Sequence, residues 1–202
     1  NPVHRIGRQI AEPLRLHRGL TGANARDEVL ALLDRVGLPD PARRIDAYPH
    51  QMSGGQRQRV MIAMALSCGP DILLADEPTT ALDVTIQGQI LDLIDELVDD
   101  TGMGLILISH DLGVISESVD NVAVMYGGAM VEKGPTASLF DRLCHPYSQG
   151  LFAAVPRVGE DHTGPLHTIP GTVPELSDLP MGCSFADRCA KATDVCWQQA
   201  PG

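Results

Sequence analysis

The feature that most constrains the fold is the apolar run Ile72-Leu73-Leu74-Ala75, which ends directly in Asp76, Glu77 and Pro78. A short apolar run closed by a turn residue predicts a buried strand. In open α/β sheets ligands bind beyond the carboxyl ends of the strands, so both carboxylates fall where a site is expected. An Asp-Glu pair is costly to place at a buried strand end unless it is used. Such residues hold magnesium and activate water, so the run predicts part of a nucleotide hydrolysis site.

A glycine-rich turn precedes this strand. The stretch Met52-Ser53-Gly54-Gly55-Gln56 leads into a helix predicted from about Gln56 to Ser67, with Met61 and Ala65 facing inward. Backbone N–H groups at the start of a helix attract phosphate oxygens. By itself the turn is a weak signal, because a serine N-cap followed by glycines opens many helices. Its position about sixteen residues before the strand strengthens the phosphate interpretation.

The middle of the chain alternates strand and helix. Leu105–Ile108 is predicted as a second strand that ends at His110, and Val122–Tyr126 as a third that turns into a hairpin with Ala129–Val131. This alternation predicts a parallel sheet covered by helices on both faces. An isolated histidine is more often a core residue than a functional one. The position of His110 at a strand end, beside the carboxylates, favours function.

The first part of the chain is predicted to be helical. Ile6, Ile10 and Leu14 recur at four-residue spacing, which is typical of an amphipathic helix. Pro13 is expected to break this helix, because proline lacks the N–H that a helix interior requires.

The composition shifts beyond Pro156, where prolines such as Pro165 interleave with glycines. This pattern predicts an extension with little regular structure. We therefore predict three regions: a helical subdomain over 1–55, an α/β core over 56–135, and a C-terminal extension over 136–202.

The charge and hydropathy of the chain limit the classes of partner that it can bind. The net charge of −11 argues against binding to the phosphate backbone of nucleic acid. No apolar run approaches the ~18 residues that suggest a membrane span, and the first residues do not form a signal peptide. We expect a soluble chain that contacts a membrane only through another protein.

The five cysteines do not form the framework of a secreted protein, because their number is odd and two of them, Cys68 and Cys144, are isolated. A reducing cytosolic setting is expected. Cys183, Cys189 and Cys196 cluster near the end, with gaps of five and six residues that differ from the short gap common in zinc sites. From spacing alone, the simplest interpretation is three reduced thiols.

One half of a nucleotide site is missing from the sequence. No G-x-x-x-x-G-K-[ST] loop, which cradles the β- and γ-phosphates, occurs in the 202 residues. We therefore expect either a fragment or a chain that completes the site of another chain.

The order of these segments resembles the ATP-binding cassette (ABC) family of transporter ATPases. Ser53–Gln56 looks like the signature motif LSGGQ with Met52 in place of Leu, and Ile72–Asp76 looks like the Walker B strand. Ala81-Leu82-Asp83 looks like the D-loop and His110 like the switch histidine. The resemblance covers about residues 1–155 and implies part of a P-loop NTPase-like fold.

Further matches narrow the resemblance to the oligopeptide/dipeptide importer branch. They comprise Tyr48–Ser53, Asp76–Thr85, Val124–Gly128, His145-Pro146-Tyr147 and Ala154-Val155-Pro156. That branch also carries a cysteine-bearing tail. The resemblance places Asn1-Pro2 just after the Q-loop, so we expect the chain to begin downstream of the Walker A loop.

The resemblance implies a role for each matching residue. Glu77 and His110 would be catalytic, and Asp76 would hold Mg²⁺ through water. In the family two nucleotide domains face each other head to tail, so ATP held by the opposite subunit would contact Ser53, Gly54, Gly55 and Gln56. Asp83 would contact the second subunit.

The resemblance also implies cofactors and partners beyond ATP and Mg²⁺. Cys183, Cys189 and Cys196 would belong to an iron–sulfur site, which normally needs a fourth ligand. The partners would be a second ABC ATPase subunit, identical or different, membrane permease subunits contacted by residues 1–55, and indirectly a substrate-binding protein. The expected location is the cytoplasmic face of the membrane.

Three alternatives remain open at this point. Within the importer branch, the substrate can be a peptide, nickel or glutathione. The chain can instead be an inactive fragment or an interaction module with the same fold. It can also be a soluble ABC ATPase of DNA repair or translation, although the acidic charge and the tail weigh against that.

Overall fold

The computed structural model describes residues 1–155 and 168–200. The chain divides into two compact units, residues 1–110 and 111–202. The predicted boundaries at residues 55 and 135 stay a prediction. Pro156 and Pro165, which mark the predicted change of composition, lie outside the described residues.

The first unit contains five helices and a two-stranded sheet among its described elements. In chain order these are α1 (Ile6–Arg18), α2 (Gly22–Arg35), α3 (Pro41–Arg44), a 3₁₀ turn (Pro49–Gln51), α4 (Gly54–Leu66), β1 (Ile72–Asp76), α5 (Val84–Thr101) and β2 (Gly104–Ile108). One buried aliphatic cluster joins the helices to the sheet, with Ile10 from α1, Leu33 from α2, Ile62 from α4, Leu73 from β1 and Ile90 from α5.

Helix α1 continues through Pro13, so the predicted break is wrong. Ile10 and Leu14, on either side of the proline, are fully buried in the same aliphatic cluster. Burial of large aliphatic side chains contributes about 1.5–3 kcal/mol each. That is comparable to the cost of about 3 kcal/mol for a proline in a helix interior, so packing holds the helix together.

Helix α4 forms where the sequence predicts it, but the orientation of two residues differs. Met61 is 58% exposed and Ala65 is exposed, so the expectation that they face inward is wrong. Val60, Ala63 and Leu66 are buried instead. Both faces of this helix carry apolar residues, and the sequence pattern therefore did not decide which face meets the core.

Strands β1 and β2 pair in parallel, with Asp76 opposite Ile108. The expectation that helices cover both faces of this sheet is wrong for the described residues. Leu73 is buried, whereas Leu74 on the other face of β1 is 63% exposed and Ile106 of β2 is 50% exposed. Parallel sheets are normally covered on both sides. The helices of the first unit pack on one side of this sheet only, and the aliphatic side chains on its other side are exposed.

The second unit contains α6 (Leu112–Ser118), β3 (Asn121–Tyr126), β4 (Ala129–Pro135), α7 (Thr136–Asp141), α8 (Pro146–Ala153), short 3₁₀ turns at Leu176–Asp178 and Ala186–Arg188, and α9 (Asp194–Gln198). The predicted hairpin is confirmed, since β3 pairs antiparallel with β4. Its turn uses Gly127 and Gly128, both at positive φ, which glycine adopts without strain.

The tail packs onto this hairpin through a small aromatic cluster. Tyr126 and Phe185 are buried there, and Tyr147 packs against both rings. Arg188 donates hydrogen bonds to the carbonyl oxygens of Ile169 and Pro170. These contacts hold the tail, whose described regular structure is limited to two 3₁₀ turns and the short helix α9. Across residues 1–155 and 168–200, no helix has the length and apolar character needed to span a bilayer.

Candidate functional site

The carboxyl ends of β1 and β2 bring Glu77 and His110 into contact. The N–H of Glu77 donates to the carbonyl oxygen of Ile108 over 2.9 Å, which ties the two strand ends together. The Nδ1 atom of His110 then lies 2.7 Å from Oε1 of Glu77. These two predicted residues therefore meet at the edge of the sheet where the strand order places them.

A tight turn after β1 supplies a second partner for Glu77. The hydroxyl of Thr80 donates a 2.5 Å hydrogen bond to Oε2 of Glu77, and the Thr80 N–H donates to the Glu77 carbonyl oxygen over 3.2 Å. Glu77 and Ala81 have φ angles of 50° and 62°, in the left-handed region that non-glycine residues rarely adopt. Strain of this kind is typical of functional sites.

The hydrogen bonds also set the charge of Glu77. The bond with His110, followed by the bond from Thr80, lowers the pKa of the Glu77 carboxyl below its ordinary value. Burial opposes this change and is outweighed. Glu77 is therefore an ionised acceptor at neutral pH.

Asp76 ends β1 with an exposed side chain. The Asp76 carboxylate forms no hydrogen bond and no ion pair with any other described residue. A solvated carboxylate suits Mg²⁺, which keeps several waters and is commonly held by one or two carboxylates together with substrate phosphates. Among the described residues, no three His, Cys, Asp or Glu side chains form a metal-binding group. Asp76 therefore fits a water-rich magnesium site rather than a cage made of protein ligands.

Ser53 caps helix α4 by a reciprocal pair of hydrogen bonds. The Gln56 N–H donates to Ser53 Oγ over 3.3 Å, and the Ser53 N–H donates to Gln56 Oε1 over 3.1 Å. The N–H groups of Gly54 and Gly55 find no acceptor among the described residues. The start of α4 therefore offers two free N–H donors at the positive end of the helix dipole, which suits a phosphate oxygen.

The two glycines also let α4 approach the turn that follows Glu77. A Cβ atom at Gly54 would lie 3.0 Å from Cδ2 of Leu82, and one at Gly55 would lie 2.6 Å from Cγ2 of Ile86. Only hydrogen fits at such distances without movement of the neighbour. The start of α4 and the turn after Glu77 are therefore packed together.

Asp83 has a local structural role in this chain. Its Oδ1 accepts a 3.0 Å hydrogen bond from the Ile86 N–H and caps helix α5. The predicted contact with a second subunit stays a prediction.

The three clustered cysteines lie in one small region as free thiols. Cys183 is buried, its N–H donates to the Cys196 carbonyl oxygen over 2.7 Å, and Cys189 packs on the same cluster. A hydroxyl contact with Thr193 lowers the pKa of the Cys196 thiol. The part of the chain that the structure describes gives them no arrangement able to hold a metal ion. The residues as placed do not fit the expected iron–sulfur centre.

Sequence reasoning missed Thr80. The sequence offered one clue, which is that Thr80 carries a hydroxyl three positions after Glu77. The segment that contains it was interpreted only as part of a family motif. Hydroxyls at such spacing commonly bond to neighbouring turn groups.

Two family descriptions match different parts of the chain. "ABC transporter" matches residues 3–80, and "Oligopeptide/dipeptide transporter, C-terminal region" matches residues 131–196. The first match contains the start of α4 and the β1 end with Glu77. The second contains all three clustered cysteines.

Similar proteins include peptide import ATP-binding proteins of Brucella. One from Brucella abortus is 57% identical over 201 residues, which are 100% of this chain and 60% of the relative. One from Brucella ovis is 52% identical over 206 residues, which cover 100% of this chain and 61% of the relative. The chain thus spans about 60% of the length of these relatives.

Among solved structures, the chain is similar to a dimeric ATP-binding cassette in a post-hydrolysis state with ADP and Pi bound. The TM-score is 0.59 and the identity is 30%, over 67% of this chain and 58% of that one. A second dimeric structure of the same protein, a bacterial ABC transporter cassette, matches equally well, with a TM-score of 0.59.

Proposed function

Because this chain belongs to the ABC transporter family, with an ATPase cassette fold, we propose that it acts within the ATP-binding subunit of a peptide importer. In that role ATP hydrolysis is coupled to transport across a membrane. The observation that carries the proposal is the 2.7 Å contact between Glu77 and His110 at the ends of β1 and β2. The two family matches and the peptide import relatives support it.

The chain's own residues would act on water and on developing charge. Bound Mg-ATP supplies the phosphoanhydride bond that is cleaved. The ionised Glu77 accepts a hydrogen bond from the attacking water and polarises it. His110 contacts Glu77 through Nδ1 and would stabilise the negative charge that develops on phosphate oxygens. Asp76 would hold Mg²⁺ through water.

The start of α4 would complete a site on a second subunit. Ser53, Gly54 and Gly55 would bind the γ-phosphate of ATP held by the opposite ATPase chain, with the Gln56 side chain holding the cap. The free N–H groups of both glycines support this role. The solved structures similar to this chain are dimers. Asp83 would lie at the contact between the two chains.

The helical region would contact the permease. Residues of α1 and α2, with Ile45 and Asp46, line an open groove of about 310 Å³ whose apolar lining includes Ala11 and Val29. Arg8, Arg15 and Arg26 line the same groove. An amphipathic segment of a membrane subunit fits such a surface, which would place the protein on the cytoplasmic face of the membrane. A substrate-binding protein would join indirectly.

Peptides are the proposed substrate class, by analogy with the peptide import relatives. Nickel and glutathione, which related systems import, are the competing substrates. Substrate competition in a transport assay distinguishes the three.

The test of the catalytic proposal is Glu77→Gln in the longer protein that contains this chain. The amide keeps the shape but cannot accept a proton, so ATP turnover should fall by about 10²–10⁴-fold while nucleotide stays bound. Glu96→Gln, at an exposed position on α5, is the matched control and should hydrolyse normally. Near-normal turnover by Glu77→Gln would remove Glu77 from this role.

The chain alone is proposed to be inactive as an ATPase. Its sequence contains no G-x-x-x-x-G-K-[ST] loop, so the β- and γ-phosphates lack their cradle. Calorimetry of the 202-residue chain with Mg-ATP should show weak binding or none. Micromolar affinity would contradict this.

Iron–sulfur binding by Cys183, Cys189 and Cys196 is a further part of the proposal. It is supported by the position of all three thiols in one small region. In the described structure they form no metal-binding group, so binding would require the sulfurs to converge and a fourth ligand to join. No catalytic step depends on this centre.

A further inference from the structure

Both carboxylate oxygens of Glu77 have a protein partner, and the two partners come from different segments. Oε1 meets Nδ1 of His110, beyond the end of β2. Oε2 accepts from the hydroxyl of Thr80, in the turn after β1. A carboxylate held at one oxygen can still rotate about its last bond, because torsions between sp³ and sp² carbons have broad minima. Two bonds at different oxygens fix the plane of the group.

Thr80 is well placed to supply the second bond. Its N–H donates to the Glu77 carbonyl oxygen, so the backbone sets the distance between the two residues. Threonine is branched at Cβ, which restricts the directions that its hydroxyl can take. The Thr80 side chain is exposed, so its hydroxyl contributes to this bond rather than to the packing of the core.

We propose that Thr80 is a positioning residue that fixes the plane of the Glu77 carboxylate through the hydrogen bond to Oε2, while Oε1 meets His110. The proposal rests on the proposed function, in which Glu77 polarises the attacking water. In that reaction the lone pair that accepts the water proton must point along a defined direction. Thr80 limits the orientations that the carboxylate samples.

A purely structural role for Thr80 makes a different prediction. If its contribution is only to form the turn, valine, which has nearly the same shape, leaves the Glu77 side chain unchanged. If its hydroxyl positions Glu77, valine releases the carboxylate and serine retains it.

The neighbouring residue provides a matched control. Thr79 lies in the same turn, and its hydroxyl forms no hydrogen bond with the described residues. Thr79→Val therefore makes the same chemical change without removing a bond to Glu77.

The test is NMR relaxation of the Glu77 side chain in the 202-residue chain, without nucleotide, at neutral pH. Samples carry ¹³C-labelled glutamate, and Glu77→Gln identifies the Glu77 signal by its loss. We expect the order parameter of the carboxylate carbon Cδ, taken from its chemical-shift-anisotropy relaxation, to fall below about 0.6, the range of flexible groups, in Thr80→Val and in Thr80→Ala, because rotation about Cγ–Cδ turns the plane of this group. Thr80→Ser and Thr79→Val should keep the wild-type value.

Two outcomes would overturn the proposal: an unchanged order parameter in both Thr80→Val and Thr80→Ala, or a loss in Thr80→Ser equal to that in Thr80→Val. Thermal melts of all variants check that the fold is intact, and alanine replaces valine in the comparison if valine disturbs it. Because no nucleotide is present, this result is independent of the turnover of Glu77→Gln. Failure of the Thr80 proposal is therefore distinguishable from failure of the proposed function.

Discussion

Gly55 lies so close to Ile86 that a Cβ atom on the glycine would stand 2.6 Å from Cγ2 of the isoleucine. The first turn of α4 is thereby packed directly on the first turn of α5. Since α5 follows the turn that carries Thr80, the phosphate-binding segment proposed here is connected by contact to the proposed catalytic turn. A glycine is needed at residue 55 for packing, separately from any phosphate contact.

Gly55→Ala should destabilise the first unit by about 1–3 kcal/mol, the usual cost of adding a carbon to a packed site. Urea unfolding of the 202-residue chain measures it. Ile86→Ala in the same chain should recover part of the loss, because it removes the atom that clashes.

Gly88→Ala is the control. Apart from its chain neighbours and the nearby backbone of α5, no described residue has an atom within 4 Å of a Cβ at Gly88, so alanine there should stabilise α5 by about 0.5–1 kcal/mol. Equal effects at both glycines would contradict the packing argument.

His145 predicts a pH dependence for the second unit. Its Nδ1 accepts a 3.1 Å hydrogen bond from the Tyr147 N–H and caps α8, which requires the neutral ring. Burial lowers the pKa of His145, although nearby Glu132 opposes the change. A lowered folded-state pKa means that the stabilisation is complete above the ordinary value of 6.5 and is lost as the pH falls through the folded-state pKa.

The measurement is a series of thermal melts between pH 7.5 and pH 5, followed by the fluorescence of Trp197, the single tryptophan of the chain. The melting temperature should fall with pH. His145→Asn keeps a capping acceptor and does not titrate, so its melting temperature should depend less on pH. The same slope in both proteins would show that other groups cause the loss.

The open face of the β1–β2 sheet should cause self-association. Ile72, Leu74, Ile106 and Ile108 are 45–63% exposed on that face, and exposed aliphatic patches on open sheets promote association. Leu74→Lys should reduce the particle mass measured by light scattering. Leu16→Lys is the control, because Leu16 on α1 is also 63% exposed but lies outside this face. A monomeric wild-type chain would contradict the prediction.

Cys183, Cys189 and Cys196 should act as one unit if they bind an iron–sulfur cluster. Anaerobically purified longer protein should then be brown and contain iron, and Cys189→Ser should remove both properties, because loss of a ligand usually releases the cluster. Cys144→Ser, at an exposed cysteine apart from the group, should change neither. Colourless and iron-free protein would leave the three as ordinary thiols.

The sequence predicted the contact between Glu77 and His110 well, because parallel strands bring their carboxyl ends to one edge. It also predicted the β3–β4 hairpin from its glycine turn. It failed at Pro13, where tertiary packing outweighs a local rule, and at Met61, where α4 has apolar residues on both faces. Thr80 was missed because its role depends on a turn with residues in the left-handed region, which no periodicity reveals.

The hydrogen bond from the Glu77 N–H to the carbonyl oxygen of Ile108 also limits how the contact between Glu77 and His110 can break. It ties the two strand ends, so Glu77 and His110 can separate only by rotation of their side chains. The His110 side chain is 78% exposed, and exposed side chains change rotamer within about picoseconds to nanoseconds. The contact between Glu77 and His110 can therefore break and re-form without any movement of the strands, on a timescale far shorter than the microseconds to milliseconds of collective domain motions.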